Sequence, residues 1–347
     1  MSLAQQTIFK STDPTSCRLV RFSEPFPNWF NPFWHDNVVM RAAGIPGDVL
    51  HSKSYMAREL LLGGIARGLI TPTTTIISAS SGNTGQGLGF FCNALGLKAR
   101  IIMKSDTVLE KINAIRVIGN NVETILHSDA HESTVERARR EGKEDGFYDT
   151  DQYANPCNPE AHRKYLGLQL FRRAKKIGLD ISLLSVASGT MGTALGLHQA
   201  AQDAGLTTRI LPVLCAEKHE VPGARMLSQV KKDILFKWRD VFQPEDIESG
   251  TRHESFLLCY LSWRWISQML GPTFGLAYLG ALQRISKMRR DGVLAQFGNS
   301  RGKIEVVVLG ADSYMPYINV ILGELRSEEL MQLEEKPYLP KLLNLEQ

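Results

Sequence analysis

The sequence predicts an α/β fold on parallel sheet, and three observations carry the expectation. Strand-like runs alternate with amphipathic helix-like runs along most of the chain, the pattern of strands joined by helical crossovers. The strand runs are short and β-branched, as expected of strands covered on both faces. Two Gly-rich segments with small hydroxyls each stand between a strand run and a helical run.

The strand runs are Ile76–Ala79, Ala99–Met103, Val122–Ile125, Leu183–Ala187, Arg209–Cys215 and Ile304–Leu309. The helical runs are Lys53–Arg67, Gly87–Leu95, Thr107–Ile118, Asp129–Glu141, Pro159–Lys176 and Met191–Ala204. In the first of these, Met56, Leu60, Leu61 and Ile65 share one face. Phe22–Trp34 differs. It is crowded with aromatics and prolines, and proline disfavours a helix there. It reads as an extended arm that packs its rings on the body of the protein or on a second subunit. Lys218–Arg264 is polar and irregular, and long enough to carry a lid or a specificity loop.

At 347 residues the chain can form two domains or one large one. Hydrophobic residues at 43% and charged residues at 22% suit a globular protein with a sizeable core. The net charge of +4 is spread over interspersed acids and bases. The basic clusters Arg137–Arg140 and Arg172–Lys176 read as solvated helix faces, so no nucleic-acid partner is expected. Five cysteines stand apart without C-x-x-C spacing, which suggests neither a disulfide framework nor a metal site, and suits a reducing compartment. No apolar run approaches the length of a membrane span and the first residues lack an apolar leader core, so a cytoplasmic protein is expected.

The chemistry concentrates in the two Gly-rich turns. Ser80-Ser81-Gly82-Asn83-Thr84-Gly85-Gln86-Gly87 follows a strand run and leads into an apolar helical run. A glycine-rich turn there exposes backbone N–H groups at a helix start, which suits an anion, and the hydroxyls and amide add directed hydrogen bonds. Ser188-Gly189-Thr190-Met191-Gly192-Thr193 repeats the arrangement after Leu183–Ala187 and suits a phosphate. Two such turns suggest a ligand with two anionic ends, or a phosphorylated cofactor and a carboxylate substrate. Between them, Asp151–His162 holds two Asn-Pro dipeptides and reads as a rigid irregular loop.

With these residues in order, the chain resembles the pyridoxal-phosphate enzymes of fold type II, the tryptophan synthase β superfamily, and within it the cysteine synthase and cystathionine β-synthase branch. The resemblance runs from about residue 38 to 320. It rests on Gly68–Pro72, Ser81–Gly85, Glu110–Ile112 with Gly119–Val122, Gln152–His162, Gly189–Thr193 and Gly271–Gly275. It implies two open twisted α/β domains with the cofactor in the cleft between them. The larger comprises 1–55 and 157–347, and the smaller, mobile one 56–156. Lys53 occupies the place of the lysine that carries the cofactor as a Schiff base. The family's Asn-Pro-x-Gly-Ser-Val-Lys-Asp-Arg pattern is replaced around it by Ile45–Tyr55, without the Asp-Arg pair.

The resemblance assigns further roles. Asn83 bonds the cofactor 3′-oxygen. Ser80, Ser81, Thr84 and Gln152 hold the substrate α-carboxylate. Ser188, Gly189, Thr190, Gly192 and Thr193 cradle the cofactor phosphate. The partner of the pyridine nitrogen is usually a serine after the last strand, which selects Ser313, with Asp312 as its competitor. A neutral serine does not stabilise a protonated pyridinium as a carboxylate does, which favours expulsion of a β leaving group over transamination. Lys53 needs a lowered pKa to abstract the α-proton, which desolvation supplies. The implied activity is β-replacement on L-serine, or on an O-acetyl or O-phospho ester, through an aminoacrylate, with a sulfur or amine nucleophile. β-Elimination, as in a serine/threonine dehydratase or a cysteine lyase, and a catalytically silent binding subunit are the alternatives. Thr84 favours the synthase branch, since dehydratases commonly carry His after this Asn. Arg225, following the turn-forming Pro222-Gly223, is the choice of cation for a phosphate leaving group. A small amino-acid substrate, a homodimer, and neither metal nor membrane complete the expectation.

Overall fold

The computed structural model describes residues 21–22, 25–44, 51–80, 82–107, 109–129 and 132–325, with Leu339 and Leu343. Ser81 and most of the pattern before Lys53, residues 45–50, lie outside the described residues. The chain forms two sheets. The smaller contains β3 (Thr75–Ala79), β4 (Lys98–Lys104), β5 (Val122–His127) and β6 (Phe147–Asp149) in the order β5-β4-β3-β6, all parallel. The larger contains β1 (Arg21–Phe22), β2 (Val38–Gly44), β7 (Leu183–Ala187), β8 (Arg209–Cys215), β9 (Glu248–Gly250) and β10 (Ile304–Gly310). Its order is β1-β2-β10-β7-β8-β9, and the pairing β1–β2 alone is antiparallel.

Helices make the crossovers: α1 (Lys53–Ala66), α2 (Asn83–Leu95), α3 (Leu109–Arg116), α4 (Thr134–Glu141), α5 (Cys157–Ala161), α6 (Leu168–Lys176) and α7 (Gly192–Asp203). A π-helical stretch, His162–Gly167, joins α5 to α6. The later helices are α8 (Leu227–Asp233), α9 (Arg252–Ile266), α10 (Pro272–Arg290) and α11 (Ile318–Glu324).

Strand side chains alternate between faces, and in the larger sheet both faces are dry. Val306 and Val308 join one apolar cluster with Met40, Val213, Phe256 and Tyr278. Val307 and Leu309 join a second with Leu184, Val186, Ala194 and Leu197. Burying each such side chain is worth roughly 1.5–3 kcal/mol, and this two-sided cover accounts for the continuous Val306-Val307-Val308 run.

All six expected strand runs are strands, with ends displaced by no more than two residues. Some helix starts moved. The helix expected from Gly87 begins at Asn83, because Ser80 Oγ accepts from the amides of Gly82 (3.3 Å) and Gly85 (2.9 Å) and caps it earlier. The helix expected from Asp129 begins at Thr134, where Ser133 and Glu136 form a capping box.

The reading of Lys218–Arg264 as irregular is corrected: α8, β9 and most of α9 fall within it. Thr251 caps α9 by accepting from the Glu254 amide, and Phe256, Leu257, Leu258, Cys259 and Leu261 are buried against α10. The aromatic arm packs on its own body: Phe26 meets Phe274 and Tyr278 edge-on, and Trp29 meets Trp265 at 4.9 Å. The basic cluster on α4 is ion-paired, Arg137 to Glu141, Arg139 to Asp151 and Arg140 to Glu132.

Candidate active site

Three segments leave the carboxyl ends of parallel strands and meet in one crevice, where open α/β sheets gather their ligands. Ser80–Asn83 follows β3, Ser188–Met191 follows β7, and Ala311–Asp312 follows β10. A fourth segment, His51–Lys53, is tied to the end of β10 by the Ser52 amide, which donates to Ala311 O (2.9 Å).

Two adjoining cavities occupy the crevice. The inner one, about 30 Å³, is bordered by Ser52, Lys53, Asn83, Ser188, Thr193 and Asp312. The outer one, about 130 Å³, is bordered by Lys53, Ser80, Thr84, Lys111, Gln152 and Arg225. Lys53, Asn83, Gly189 and Thr190 border both.

The turn after β7 is an anion cup. Among the described residues, nothing accepts from the amides of Gly189, Thr190, Met191, Gly192, Thr193 or Ala194. Met191 holds a left-handed conformation (φ 59°), which curls the turn into the start of α7. Consecutive free amides at a helix start are the setting for a phosphate. Glycine is needed here for space: a Cβ on Gly192 would overlap the Asn158 side chain, and one on Gly189 would stand 2.7 Å from Gly223 O and 3.8 Å from Lys53 Nζ. The cup is braced from behind. Asn158 Nδ2 donates to Thr190 Oγ1 (2.9 Å) and to Gln152 O (2.7 Å). His162 Nε2 meets Thr193 Oγ1 at 3.2 Å. Burial and the Lys53 charge draw the His162 pKa down to about 3, so its ring is neutral.

Lys53 opens α1 beside this cup. Burial, offset by Asp312 and reinforced by Arg225 and Lys111, draws its pKa from 10.5 down to about 8. Such an amine is deprotonated far more readily than an ordinary lysine.

The turn after β3 supplies a second anion corner. The amides of Asn83 and Thr84 have no acceptor among the described residues. Thr84 Oγ1 donates to Gln152 Oε1 (2.9 Å), and Gln152 Nε2 donates to Ala79 O (2.9 Å). Thr84 and Gln152 are thus bonded to each other, and with Ser80 they border the outer cavity together with Lys53.

Two sequence choices land differently. Ser313 is exposed and borders neither cavity; its Oγ accepts from the Met315 amide (3.3 Å), and its backbone bridges to Leu270. The residue that turns into the crevice is Asp312. Arg225 reaches the outer cavity, brought inward by Pro222-Gly223, with Gly223 at φ 90°. Its guanidinium is already engaged, by an ion pair with Asp233 and a hydrogen bond to Tyr153 Oη (2.8 Å). The cation that sequence reasoning missed is Lys111 on α3. It borders the outer cavity and has no hydrogen bond or ion pair among the described residues. Its position in the Glu110-Lys111-Ile112 motif was the available signal.

Residues 52–274 match the model of the pyridoxal-phosphate dependent enzymes, and this chain belongs to that family. A probable cysteine synthase of Bacillus subtilis is 26% identical over 254 residues, 70% of this chain and 79% of the relative. A cysteine synthase of Staphylococcus aureus is 34% identical over 145 residues, 42% of this chain and 46% of the relative. In fold, the chain is similar to a crystal structure of cysteine synthase from Entamoeba histolytica (TM-score 0.72, 16% identity, covering 95% of this chain and 94% of that one).

The cofactor of the family is pyridoxal 5′-phosphate, and the residues present fit it. Six amides without an acceptor among the described residues suit a phosphate, an amine of lowered pKa stands beside them, and across the outer cavity lies a corner suited to a second anion.

Proposed function

We propose that this chain catalyses β-replacement on L-serine or an activated serine ester, adding a sulfur or amine nucleophile. The observation that carries the proposal is the position of Lys53, between an amide cup suited to phosphate and a corner suited to an α-carboxylate. The cofactor supplies the electron sink for charge that develops at Cα. Gly189–Thr193 with Ser188 hold its phosphate, and Asn83 lies beside its ring. Ser80, Gln152 and the free amides of Asn83 and Thr84 bind the substrate carboxylate. Lys53 Nζ takes the proton from substrate Cα, for which a pKa near neutrality is suited. Lys111 is the cation available to an anionic leaving group or nucleophile, and Arg225 stiffens the wall behind it through Asp233 and Tyr153.

The smaller sheet and its helices act as a mobile domain spanning 56–156, which closes on the rest of the chain over the substrate. Among the described residues, Cys92, Cys157, Cys215 and Cys259 are free thiols, which supports a reducing, cytoplasmic setting. No helix among the described residues is long and apolar enough to cross a membrane. A homodimer is the proposed assembly, by resemblance to the family.

The test is to mix the protein, loaded with its cofactor, with serine, O-acetylserine, O-phosphoserine and cysteine in turn. β-Replacement requires that at least one shift the visible absorbance and that an added thiol or amine discharge the new band with a substituted amino acid as product. Release of pyruvate and ammonia alone would mean elimination. An unchanged spectrum with all four would leave a silent binding subunit.

A further inference from the structure

We propose that Asp312 is the partner of the cofactor's ring nitrogen and holds a proton on it, so that this chain places a carboxylate where its resemblance leads to a neutral serine. The proposal rests on the binding of pyridoxal phosphate, and not on which amino acid is the substrate.

Placement is the first ground. A phosphate held in the cup after β7 and an aldehyde carbon held at Lys53 would set the ring against the inner cavity, which both segments border. Among the described residues, Asp312 is the only carboxylate bordering that cavity. Ser313 points elsewhere and is exposed.

The second ground is how Asp312 is held. Asn83 Nδ2 and Tyr317 Oη each donate to its Oδ2 at 2.7 Å, and Thr273 Oγ1 donates to its Oδ1 at 3.4 Å. Room for it is made by Gly271, where a Cβ would overlap Oδ1. Three donors from three different segments fix the carboxyl group and favour its ionised form. Yet it has no ion pair among the described residues, since no basic nitrogen lies within salt-bridge distance. A half-buried carboxylate with donors and no ion-paired cation lacks a close counter-charge. Lys53 contributes attraction across the cavity, Lys111 lies farther out, and the remaining titratable neighbours, Tyr317 and Cys259, are neutral, with burial raising the pKa of each. Burial also raises the carboxyl pKa, against the three hydrogen bonds and Lys53. A pyridinium N–H is a cationic donor of the required kind.

The third ground is Asn83. It is the residue the resemblance gives to the ring's 3′-oxygen, and it stands bonded to Asp312. If Asn83 turns to that oxygen, Asp312 Oδ2 loses one donor and is free to accept from the ring nitrogen. No bond to carbon forms or breaks; one solvent proton resides on the ring nitrogen, and the carboxylate stays ionised. The consequence is a stronger electron sink than a serine-partnered ring provides.

The experiment uses holoenzyme reconstituted with cofactor carrying ¹⁵N in the ring, read by nitrogen NMR. In the wild type the ring nitrogen is expected at the pyridinium shift throughout the pH range where the holoenzyme is stable. In Asp312→Ser and in Asp312→Asn it moves to the neutral-pyridine range, while Ser313→Ala keeps the pyridinium signal. A neutral-pyridine signal in the wild type overturns the proposal by itself, even if the Asp312 variants fail to fold. So does a pyridinium signal that survives Asp312→Ser. A visible cofactor band with the wrong nitrogen shift defeats this proposal alone. A protein that binds no cofactor defeats it together with the reading on which it rests.

Discussion

Replacing Lys53 by Met tests the desolvated amine without a substrate. Folding draws the Lys53 pKa from 10.5 to about 8, with burial as the largest cause. At ~1.4 kcal/mol per pH unit, charging this amine in the folded apoprotein costs about 3 kcal/mol relative to the unfolded chain. The group's folded pKa is depressed, so below pH 8 both states are protonated and the full cost is borne. Between pH 8 and 10.5 the folded state sheds the proton first and the wild-type apoprotein gains stability as pH rises. Above 10.5 the cost is gone. Methionine fills a similar volume without charge, so Lys53→Met is expected to stabilise the apoprotein by up to about 3 kcal/mol at neutral pH, with the gain fading over that window. Urea unfolding of both apoproteins at a neutral and a strongly alkaline pH provides the measurement. A variant less stable than the wild type at neutral pH, or a gain independent of pH, would refute the reasoning. The same shift leaves about one amine in ten neutral at pH 7, against about one in three thousand for an unperturbed lysine, which suits the proton transfer proposed for it.

Three further outcomes are expected. Gly192→Val should weaken cofactor retention at least tenfold, because its side chain would collide with Asn158 and close the amide cup; equilibrium dialysis reads it, and unchanged affinity would put the phosphate elsewhere. Lys111→Met should raise KM for O-phosphoserine several-fold more than for O-acetylserine, whereas Arg225→Ala, by freeing Asp233 and Tyr153, should lower turnover with both esters alike. An Arg225→Ala defect confined to the phosphoester would restore the arginine as the phosphate clamp. X-ray scattering should show a smaller radius of gyration with a non-reacting amino acid bound than without it, as the 56–156 domain closes; equal radii would speak against closure.

Much of this site was legible because turn chemistry is local. The Gly-rich turns after β3 and β7 announce themselves by composition, whereas Lys53, an ordinary lysine at a helix start, was singled out only by the family resemblance. Of the six strands read from the sequence, β3, β4, β7, β8 and β10 lie inside their sheets, where two-sided burial writes near-continuous apolar runs; β5 is an edge strand. What escaped depends on tertiary context. Whether Asp312 or Ser313 turns inward is decided past the end of β10, where strand alternation no longer applies and the Leu270 bridge fixes the chain. Phe256–Leu261 form a buried helix, yet the polar residues preceding them masked the apolar face that α10 covers. Lys111 is one lysine among many until α3 brings it to the crevice. Asn158 and His162 sat in a loop with no readable role, because their partners Thr190 and Thr193 are remote in sequence.

The central claim is that Lys53 is the amine that holds the cofactor. Borohydride reduction of the holoenzyme, followed by digestion and mass mapping of the peptides, tests it most directly. The pyridoxyl label is expected on the peptide containing Lys53, and Lys53→Ala should carry none while remaining folded. A label on Lys111 or any other lysine, or a label that persists in Lys53→Ala, would contradict the account.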